Sequence, residues 1–272
     1  MPILTTRQLV KSYHGRRVVD QFSFEINEGE IVGLLGRNGA GKTTTFRMTI
    51  GMITPEEGSV QFAGRDVTAL PMYQHARNGI GYLCQEPSIF RRMTVRENLL
   101  AILETQSMGS QLQSRRADEL LEQFTLLDKA DHPAHTCSGG ERRRLEIARA
   151  LVTRPRLMLL DEPFAAVDPH TVEELQAEVR RLSAEGIAML VTDHNVQQTM
   201  RICDRAYIIH EGCNLAEGTP RELINNDTVR DAYLASTFRG DEFDSAPPTG
   251  PESTTTPQRI HAPDHTTPSS PA

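Results

Sequence analysis

The segment from Gly36 to Thr43 constrains the fold of this chain more than any other. Its letters, Gly-Arg-Asn-Gly-Ala-Gly-Lys-Thr, fit the pattern Gly-x4-Gly-Lys-Thr. An almost continuously apolar stretch, 30–35, precedes it, and a helical pattern, 42–50, follows it. Glycines allow backbone N–H groups to turn inward, where they and the helix N-terminus surround a phosphate. The segment therefore predicts a phosphate-binding loop between a strand and a helix; the alternative is an ordinary glycine-rich turn.

Other apolar runs predict the rest of the architecture. Residues 157–160 and 187–191 are short apolar strands that each precede a helical pattern, as in buried parallel strands. Residues 4–10 and 18–26 alternate in part, which indicates an antiparallel layer. The stretch of about 86–152 is mostly helical in pattern. We predict an α/β fold with a parallel-sheet core, an antiparallel β layer and a helical insertion.

Two carboxylates follow the apolar strand 157–160. Asp161 and Glu162 end the run Leu-Met-Leu-Leu, at the strand edge where nucleotides bind in parallel sheets. Asp161 is predicted to hold Mg²⁺ and Glu162 to act as general base on the attacking water. The alternative is a turn or helix cap.

A second helix start has the composition of an anion site. Ser138, Gly139 and Gly140 open an arginine-rich helix, and the two glycines leave backbone donors free for a phosphate. An ordinary N-cap made by Ser138 is the alternative. Because the chain already contains a phosphate loop, a second anion site would serve the ATP of a partner copy and would require head-to-tail pairing.

Composition excludes several classes of protein. The chain has 272 residues with 29 Lys plus Arg and 36 Asp plus Glu, a formal charge of −7 that excludes a simple basic nucleic-acid binder. No apolar run approaches the roughly 20 residues of a membrane span, and no secretory signal is visible, so we expect a cytosolic protein. Residues 240–272 are rich in Pro, Ser and Thr and cannot build a core, which leaves residues 1–239 as one domain.

Together these motifs resemble the ATP-binding cassette (ABC) ATPases, over residues 4–234. The resemblance implies a RecA-like sheet of the P-loop NTPase type, ATP and Mg²⁺ as ligands, and two ATPs sandwiched between two protomers. It further implies that Tyr13 stacks on adenine, that Gln85 contacts Mg²⁺, and that His194 acts as a switch at the γ-phosphate. Asp168 matches the loop that crosses the dimer interface, and it also suits a helix N-cap.

The site residues that follow fall into three sets. The catalytic residues are Lys42, Glu162 and His194, and the metal ligands are Thr43, Gln85 and Asp161. The nucleotide-binding residues are Tyr13, Gly36, Arg37, Asn38, Gly39, Ala40, Gly41, Lys42, Thr43, Thr44, Gln85, Ser138, Gly139, Gly140 and Asp168.

Within the family, residues 88–95, 138–150 and 161–164 resemble the ATPase subunits of lipopolysaccharide exporters. This implies a homodimer on the cytoplasmic face of the bacterial inner membrane, touching the membrane only through a permease pair of the LptF and LptG type. Tyr82, Phe90 and Met93 would line the groove for each permease's coupling helix; the alternative is that they pack the insertion. A branched-chain amino-acid importer subunit and a soluble ABC ATPase remain as alternative functions.

Four positions depart from the usual family pattern. Arg37 and Cys84 replace common prolines, Cys137 replaces a leucine, and Ala166 replaces a frequent glycine. None of these changes removes a predicted phosphate or metal ligand. Arg37 would bring a cation near the phosphate loop, and Cys137 would be inert if buried.

Overall fold

The computed structural model describes residues 2–165 and 167–234. The proline-rich region 240–272 lies outside them, and so does Ala166.

Ten strands and nine helices occur in the described residues. The strands are β1 Pro2–Tyr13, β2 Arg16–Asn27, β3 Ile31–Leu35, β4 Glu57–Phe62, β5 Arg65–Asp66, β6 Ile80–Leu83, β7 Leu157–Asp161, β8 Ala188–Thr192, β9 Arg205–His210 and β10 Cys213–Gly218. The helices are α1 Lys42–Thr49, α2 Met72–Arg77, α3 Val95–Leu103, α4 Ser110–Gln123, α5 Gly139–Leu151, α6 Pro169–Ala184, α7 Val196–Ile202, α8 Pro220–Ile224 and α9 Asp227–Val229. Short 3-10 turns occur at Leu127–Lys129 and Ala134–Thr136, and a π turn at Arg230–Leu234.

A six-stranded sheet carries the core, in the order β10-β9-β3-β8-β7-β6. The pairs β9–β3, β3–β8, β8–β7 and β7–β6 are parallel, and β10 is antiparallel to β9. Every residue of β3, β7 and β8 is buried, because helices or the second sheet cover both faces of these central strands. The carboxyl ends of β3, β7 and β8 therefore meet at one edge, as the sequence predicted.

The second sheet is antiparallel, in the order β2-β1-β4-β5. Apolar side chains from this sheet and from the six-stranded sheet form one cluster between them. Its aromatic centre consists of Phe22, Phe24 and Tyr207, whose ring centroids lie 5.9 to 6.5 Å apart. Tilted and edge-on ring contacts of this kind stabilise packing beyond the area buried. The predicted antiparallel layer is thus confirmed.

The long helices α3, α4 and α5 form the helical part that was predicted between β6 and β7. Their buried side chains join one apolar cluster that also reaches α6. Capping boxes begin two of these helices: Thr94 with Glu97 for α3, and Ser138 with Glu141 for α5. Each box satisfies backbone donors that the first turn leaves free, which fixes where the helix starts. Over the described ranges, no helix is both long and apolar enough to span a bilayer.

Candidate functional site

The phosphate loop joins the end of β3 to the start of α1. Gly41, the residue before α1, has φ +111°, a left-handed conformation that favours glycine. At Gly36, a Cβ atom would lie 2.3 Å from the backbone oxygen of Ile209, so the loop packs against β9 without room for a side chain. The two glycines therefore set the path of the loop, and the loop leads directly into the N-terminus of α1.

Lys42 is the buried cation of this loop. Its Nζ donates to the carbonyl oxygens of Gly36, at 2.7 Å, and of Arg37, at 3.1 Å. Burial lowers the pKa of Lys42, and the nearby charges of Glu162 and Asp161 oppose that shift. The loop's own carbonyls thus hold the ammonium group close to the two carboxylates that the sequence assigned to the same site.

Asp161 is the last residue of β7 and is buried. Burial, followed by the charge of Glu162, raises the pKa of Asp161 to about 6. The Tyr82 hydroxyl donates a hydrogen bond to this carboxylate, and burial raises the pKa of Tyr82 to about 12. The ring of Tyr82 packs beside Phe46 of α1, with centroids 6.4 Å apart. Asp161 therefore lies in a site that disfavours its charge in the absence of a cation.

Glu162 adopts a left-handed backbone conformation, with φ +48°. Such a φ costs roughly 1–2 kcal/mol in a residue with a side chain, so its surroundings must enforce it. The N–H of Glu162 donates to Thr192 of β8 at 2.7 Å. Gln85 Nε2 donates to Glu162 Oε2 at 2.8 Å, and His194 Nε2 lies 2.6 Å from Glu162 Oε1. Three residues predicted separately thus meet at one carboxylate.

These side chains line one pocket of about 310 Å³. The pocket is lined by Val18, Asn38, Gly39, Gly41, Lys42, Thr43, Thr44, Gln85, Asp161, Glu162, Thr192 and His194. The hydroxyl of Thr192 is buried and makes no hydrogen bond to any described residue. A pocket with an ammonium group, two carboxylates, free hydroxyls and a glycine loop is suited to a phosphate chain with a cation.

Comparison with known proteins identifies the family. The family model described as "ABC transporter" matches residues 19–165. The chain belongs to the ABC transporter ATP-binding family. It is accordingly the nucleotide-binding ATPase subunit of an ABC transporter, and it couples ATP hydrolysis to transport. ABC ATPase cassettes function as dimers with transmembrane permease partners.

Several ABC relatives are similar over nearly their whole length. "Lipopolysaccharide export system ATP-binding protein LptB" of Acidithiobacillus ferridurans is 49% identical over 237 residues, which are 87% of this chain and 98% of that protein. LptB of Escherichia coli K12 is 47% identical over 240 residues, 88% of this chain and 100% of that protein. A "probable ABC transporter ATP-binding protein" of Azorhizobium caulinodans is 50% identical over 231 residues, 85% of this chain and 82% of that protein.

Solved ABC cassettes share the fold. The ADP conformation of the cassette MJ1267 superposes with a TM-score of 0.77 at 30% identity, covering 86% of this chain and 99% of that one. The cassette cbiO1 of Clostridium perfringens also gives a TM-score of 0.77, at 25% identity, with 87% and 96% covered. The predicted ABC cassette fold is therefore confirmed.

Several residues of the ABC motifs lie outside the pocket. Among the described residues, the predicted nucleotide-binding residues that do not line it are Tyr13, Gly36, Arg37, Ala40, Ser138, Gly139, Gly140 and Asp168. Ser138 caps α5 by accepting from the Glu141 N–H at 3.2 Å, and Asp168 caps α6 by accepting from the Thr171 N–H at 3.1 Å. The capping alternatives therefore hold within one chain, and the predicted role of Ser138, Gly139 and Gly140 at ATP concerns the ATP of a second copy.

One functional residue of α5, Arg143, was not recognised from the sequence. Arg143 of α5 is buried, and its five N–H donors all make hydrogen bonds. Four of the acceptors are carbonyl oxygens of Cys84, Asp161, Glu162 and Pro163, and the fifth is the Glu146 carboxylate. Arg143 thus ties α5 to the residues beside Gln85 and to the catalytic edge. The spacing of Arg and Glu three apart on a partly apolar helix was the available signal.

Tyr82, one of the three residues predicted to line a groove, lines a cavity of about 200 Å³ together with Ser88, Glu146 and Arg149, whereas Phe90 and Met93 do not line it; we call this the groove cavity. Phe90 is 42% exposed, and the Arg149 guanidinium lies 5.0 Å from its ring centroid. Met93 is also exposed, and its N–H donates to the Phe90 carbonyl at 3.1 Å. Tyr82 faces both this cavity and Asp161, whereas Phe90 and Met93 stand at the surface nearby.

The three described departures from the family pattern, Arg37, Cys84 and Cys137, leave the pocket intact. Arg37 directs its carbonyl to Lys42 and has an exposed side chain. The Cys84 thiol donates to the Glu86 carbonyl at 3.0 Å. Cys137 is buried, and burial raises the pKa of its thiol, which agrees with the expectation of an inert cysteine.

Proposed function

We propose that this chain powers the extraction of lipopolysaccharide from the inner membrane for export. The observation that carries the proposal is the 47–49% identity, over 98–100% of their length, to proteins named LptB. On this proposal the chain lies on the cytoplasmic face of the bacterial inner membrane and contacts the bilayer only through its permeases. Its partners are then a permease pair of the LptF and LptG type.

The pocket supports ATP with Mg²⁺ as its ligands. The Thr43 hydroxyl, the Gln85 amide and the Asp161 carboxylate would hold Mg²⁺, and all three offer the oxygen atoms that this hard cation prefers. No cluster of three or more His, Cys, Asp or Glu suited to a metal occurs in the described ranges. This agrees with an ion that keeps water and substrate phosphates among its ligands. Bound Mg²⁺ would neutralise charge on the phosphate oxygens.

The roles of the side chains follow from their contacts. Lys42, held by two loop carbonyls, would neutralise the β- and γ-phosphates. Glu162 would orient and deprotonate the attacking water. Gln85 and His194 each contact one oxygen of Glu162 and would orient its carboxylate toward the attacking water.

The residues outside the pocket complete the proposal in a homodimer. Ser138, Gly139 and Gly140 begin α5, and a helix N-terminus with two glycines is suited to the γ-phosphate of the partner's ATP. Tyr13, 42% exposed at the end of β1, would stack on adenine. Asp168 would approach the partner at the dimer interface.

An affinity purification from gently solubilised membranes tests the proposed cargo. We expect the tagged chain to recover two permeases with large periplasmic domains, of the lipopolysaccharide system. Recovery of branched-chain amino-acid importer permeases would keep the ATPase and contradict the cargo. Recovery of ribosomes or DNA in place of permeases would contradict a role in transport.

The variant Glu162→Gln tests the proposed base. It removes the base and keeps the size of the side chain with one of the two oxygen acceptors, so ATP should still bind while hydrolysis is lost. A binding titration and a phosphate-release assay measure the two properties. Hydrolysis at the parental rate would refute the assignment of Glu162.

A further inference from the structure

A buried ion pair lies between the groove and the catalytic edge. It joins Arg143 and Glu146, three residues apart on α5, with a distance of 3.0 Å and side-chain exposures of 7% and 4%. Glu146 Oε1 accepts the N–H of Ser88 at 2.7 Å, while its Oε2 accepts from Arg143. Glu146 and Ser88 also line the groove cavity. A partner in the groove would therefore touch this carboxylate or its hydrogen-bonded backbone directly.

Arg143, the other member of the pair, contacts the backbone of Glu162 and of the residue next to Gln85, the two residues proposed to act at the attacking water. Arg143 donates to the carbonyl of Glu162 at 2.9 Å and to that of Cys84, next to Gln85, at 3.0 Å. The Glu162 backbone has a left-handed φ that needs support from its surroundings, and Arg143 supplies part of it. A displacement of Ser88 would thus reach the catalytic carboxylate through two side chains, Glu146 and Arg143.

The neighbouring ion pair joins Arg144 of α5 to Glu174 of α6 and has none of these contacts. Arg144 and Glu174 lie 3.1 Å apart with side-chain exposures of 24% and 44%, and Glu174 belongs to α6. Exposed pairs contribute little, whereas removing one member of a buried pair leaves an unpaired charge. Adjacent arginines of α5 thus make one buried and one more exposed ion pair, and the exposed pair serves as the control.

We propose that Arg143 and Glu146 are positioning residues that couple occupancy of the groove to the geometry of Glu162 and Gln85. The inference rests on the proposed docking role of the groove. Neither residue lines the nucleotide pocket; on this proposal they act through the backbone that carries Ser88, Cys84 and Glu162. By reciprocity, nucleotide in the pocket changes the affinity of the groove for a partner by the same factor as the partner changes the affinity for nucleotide.

Hydrogen–deuterium exchange on the chain without its permeases tests the proposed link between the nucleotide pocket and the groove. In the Glu162→Gln background, ATP with Mg²⁺ should change the protection of the peptide that spans residues 83–93. Adding Glu146→Gln, which keeps an acceptor for Ser88 but removes the charge that pairs with Arg143, should abolish most of that change at equal ATP saturation. Glu174→Gln should leave it intact. An undiminished change in the Glu146→Gln protein would overturn the proposal.

A second variant distinguishes loss of the proposed coupling from loss of folding. Arg143→Met combined with Glu146→Leu removes both charges together, so no buried charge is left unpaired. It should lose the nucleotide-dependent protection change as well. A folded double variant that kept the parental change would also overturn the proposal.

The captured permease complex gives the functional readout. In the Glu146→Gln protein, the ratio of permease-stimulated to basal ATPase activity should fall by roughly fivefold or more, the lower range of allosteric coupling. An equal fall in both rates, with the ratio unchanged, would contradict coupling and indicate a structural role. Because the exchange experiment needs no permease, a chain that captured other permeases would refute the proposed cargo and leave this link standing.

Discussion

Replacing Asp161 with Asn should stabilise the nucleotide-free protein while it abolishes Mg²⁺-dependent hydrolysis. The carboxylate is buried next to Glu162, and both features disfavour its charge. Asn removes the charge and keeps an oxygen acceptor for the Tyr82 hydroxyl. Arg47 and Arg143 offset part of this cost and a bound cation would offset more, so the residue proposed to hold Mg²⁺ destabilises the empty site.

The pKa gives the size and the sign of the effect. Its rise from 3.8 to about 6 corresponds to about 3 kcal/mol, since each tenfold change in proton affinity is worth about 1.4 kcal/mol. A raised pKa means that the folded state binds the proton more tightly, so stability falls as pH rises from about 4 to about 6. Above about pH 6 the loss of folding stability caused by the Asp161 charge has reached its full size. Water in the open pocket screens the charge, so we expect a gain of about 1–2 kcal/mol for Asn at pH 8.

Urea unfolding in the presence of EDTA, at pH 8 and at pH 5, measures this difference. The stability gain of Asp161→Asn should be largest at pH 8 and fall to about half at pH 5, where part of the parental carboxyl is protonated. Asn78→Asp, at the exposed end of α2, serves as a charge-change control with little expected effect. A gain independent of pH, or a loss of stability at pH 8, would refute the reasoning.

Three further substitutions test other parts of the structure. Lys42→Ala removes the cation that the loop carbonyls hold, so ATP affinity measured by calorimetry should fall by roughly 10- to 100-fold; parental affinity would contradict the phosphate-loop assignment. Gly140→Ala places a Cβ 2.7 Å from Thr171 Cγ2, which should cost about 1–3 kcal/mol in urea unfolding. Gly109→Ala, where a Cβ meets no atom within 4 Å, is its control, and equal stabilities would show that α6 gives way. Phe90→Ala should leave the isolated ATPase rate nearly intact but uncouple transport, and full transport in that variant would remove Phe90 from the coupling surface.

The sequence predicted the parts of the site that depend on local pattern. The glycine loop, the apolar strand before Asp161 and the caps at Ser138 and Asp168 are determined within a few residues, and the structure has each of them. The sequence did not predict contacts that join segments far apart in the chain. Gln85 and Glu162 are 77 residues apart in the chain, and their hydrogen bond exists only because β6 and β7 are adjacent in the sheet.

Arg143 illustrates the limit most clearly. On an arginine-rich helix the pattern favours a solvated side chain, because lone charges are rarely buried. Five hydrogen-bond acceptors from three segments make its burial possible, and only Glu146, three residues further along the helix, is visible from the spacing of residues. Such a residue can be recognised only when the fold has assembled its partners.

Helix α5 places three separate tasks on one rigid element. Its first residues, capped by Ser138, carry the glycines proposed to meet the partner's ATP, and its second turn carries Arg143 and Glu146. At 1.5 Å per residue, its 13 residues span only about 20 Å, so these groups cannot move independently. Closure of two protomers on ATP would press on the N-terminus of α5, and the same rotation would shift the carbonyl contacts of Arg143 and the Ser88 contact of Glu146. On the roles proposed for these residues, dimer closure, orientation of Glu162 and the shape of the groove would therefore change together.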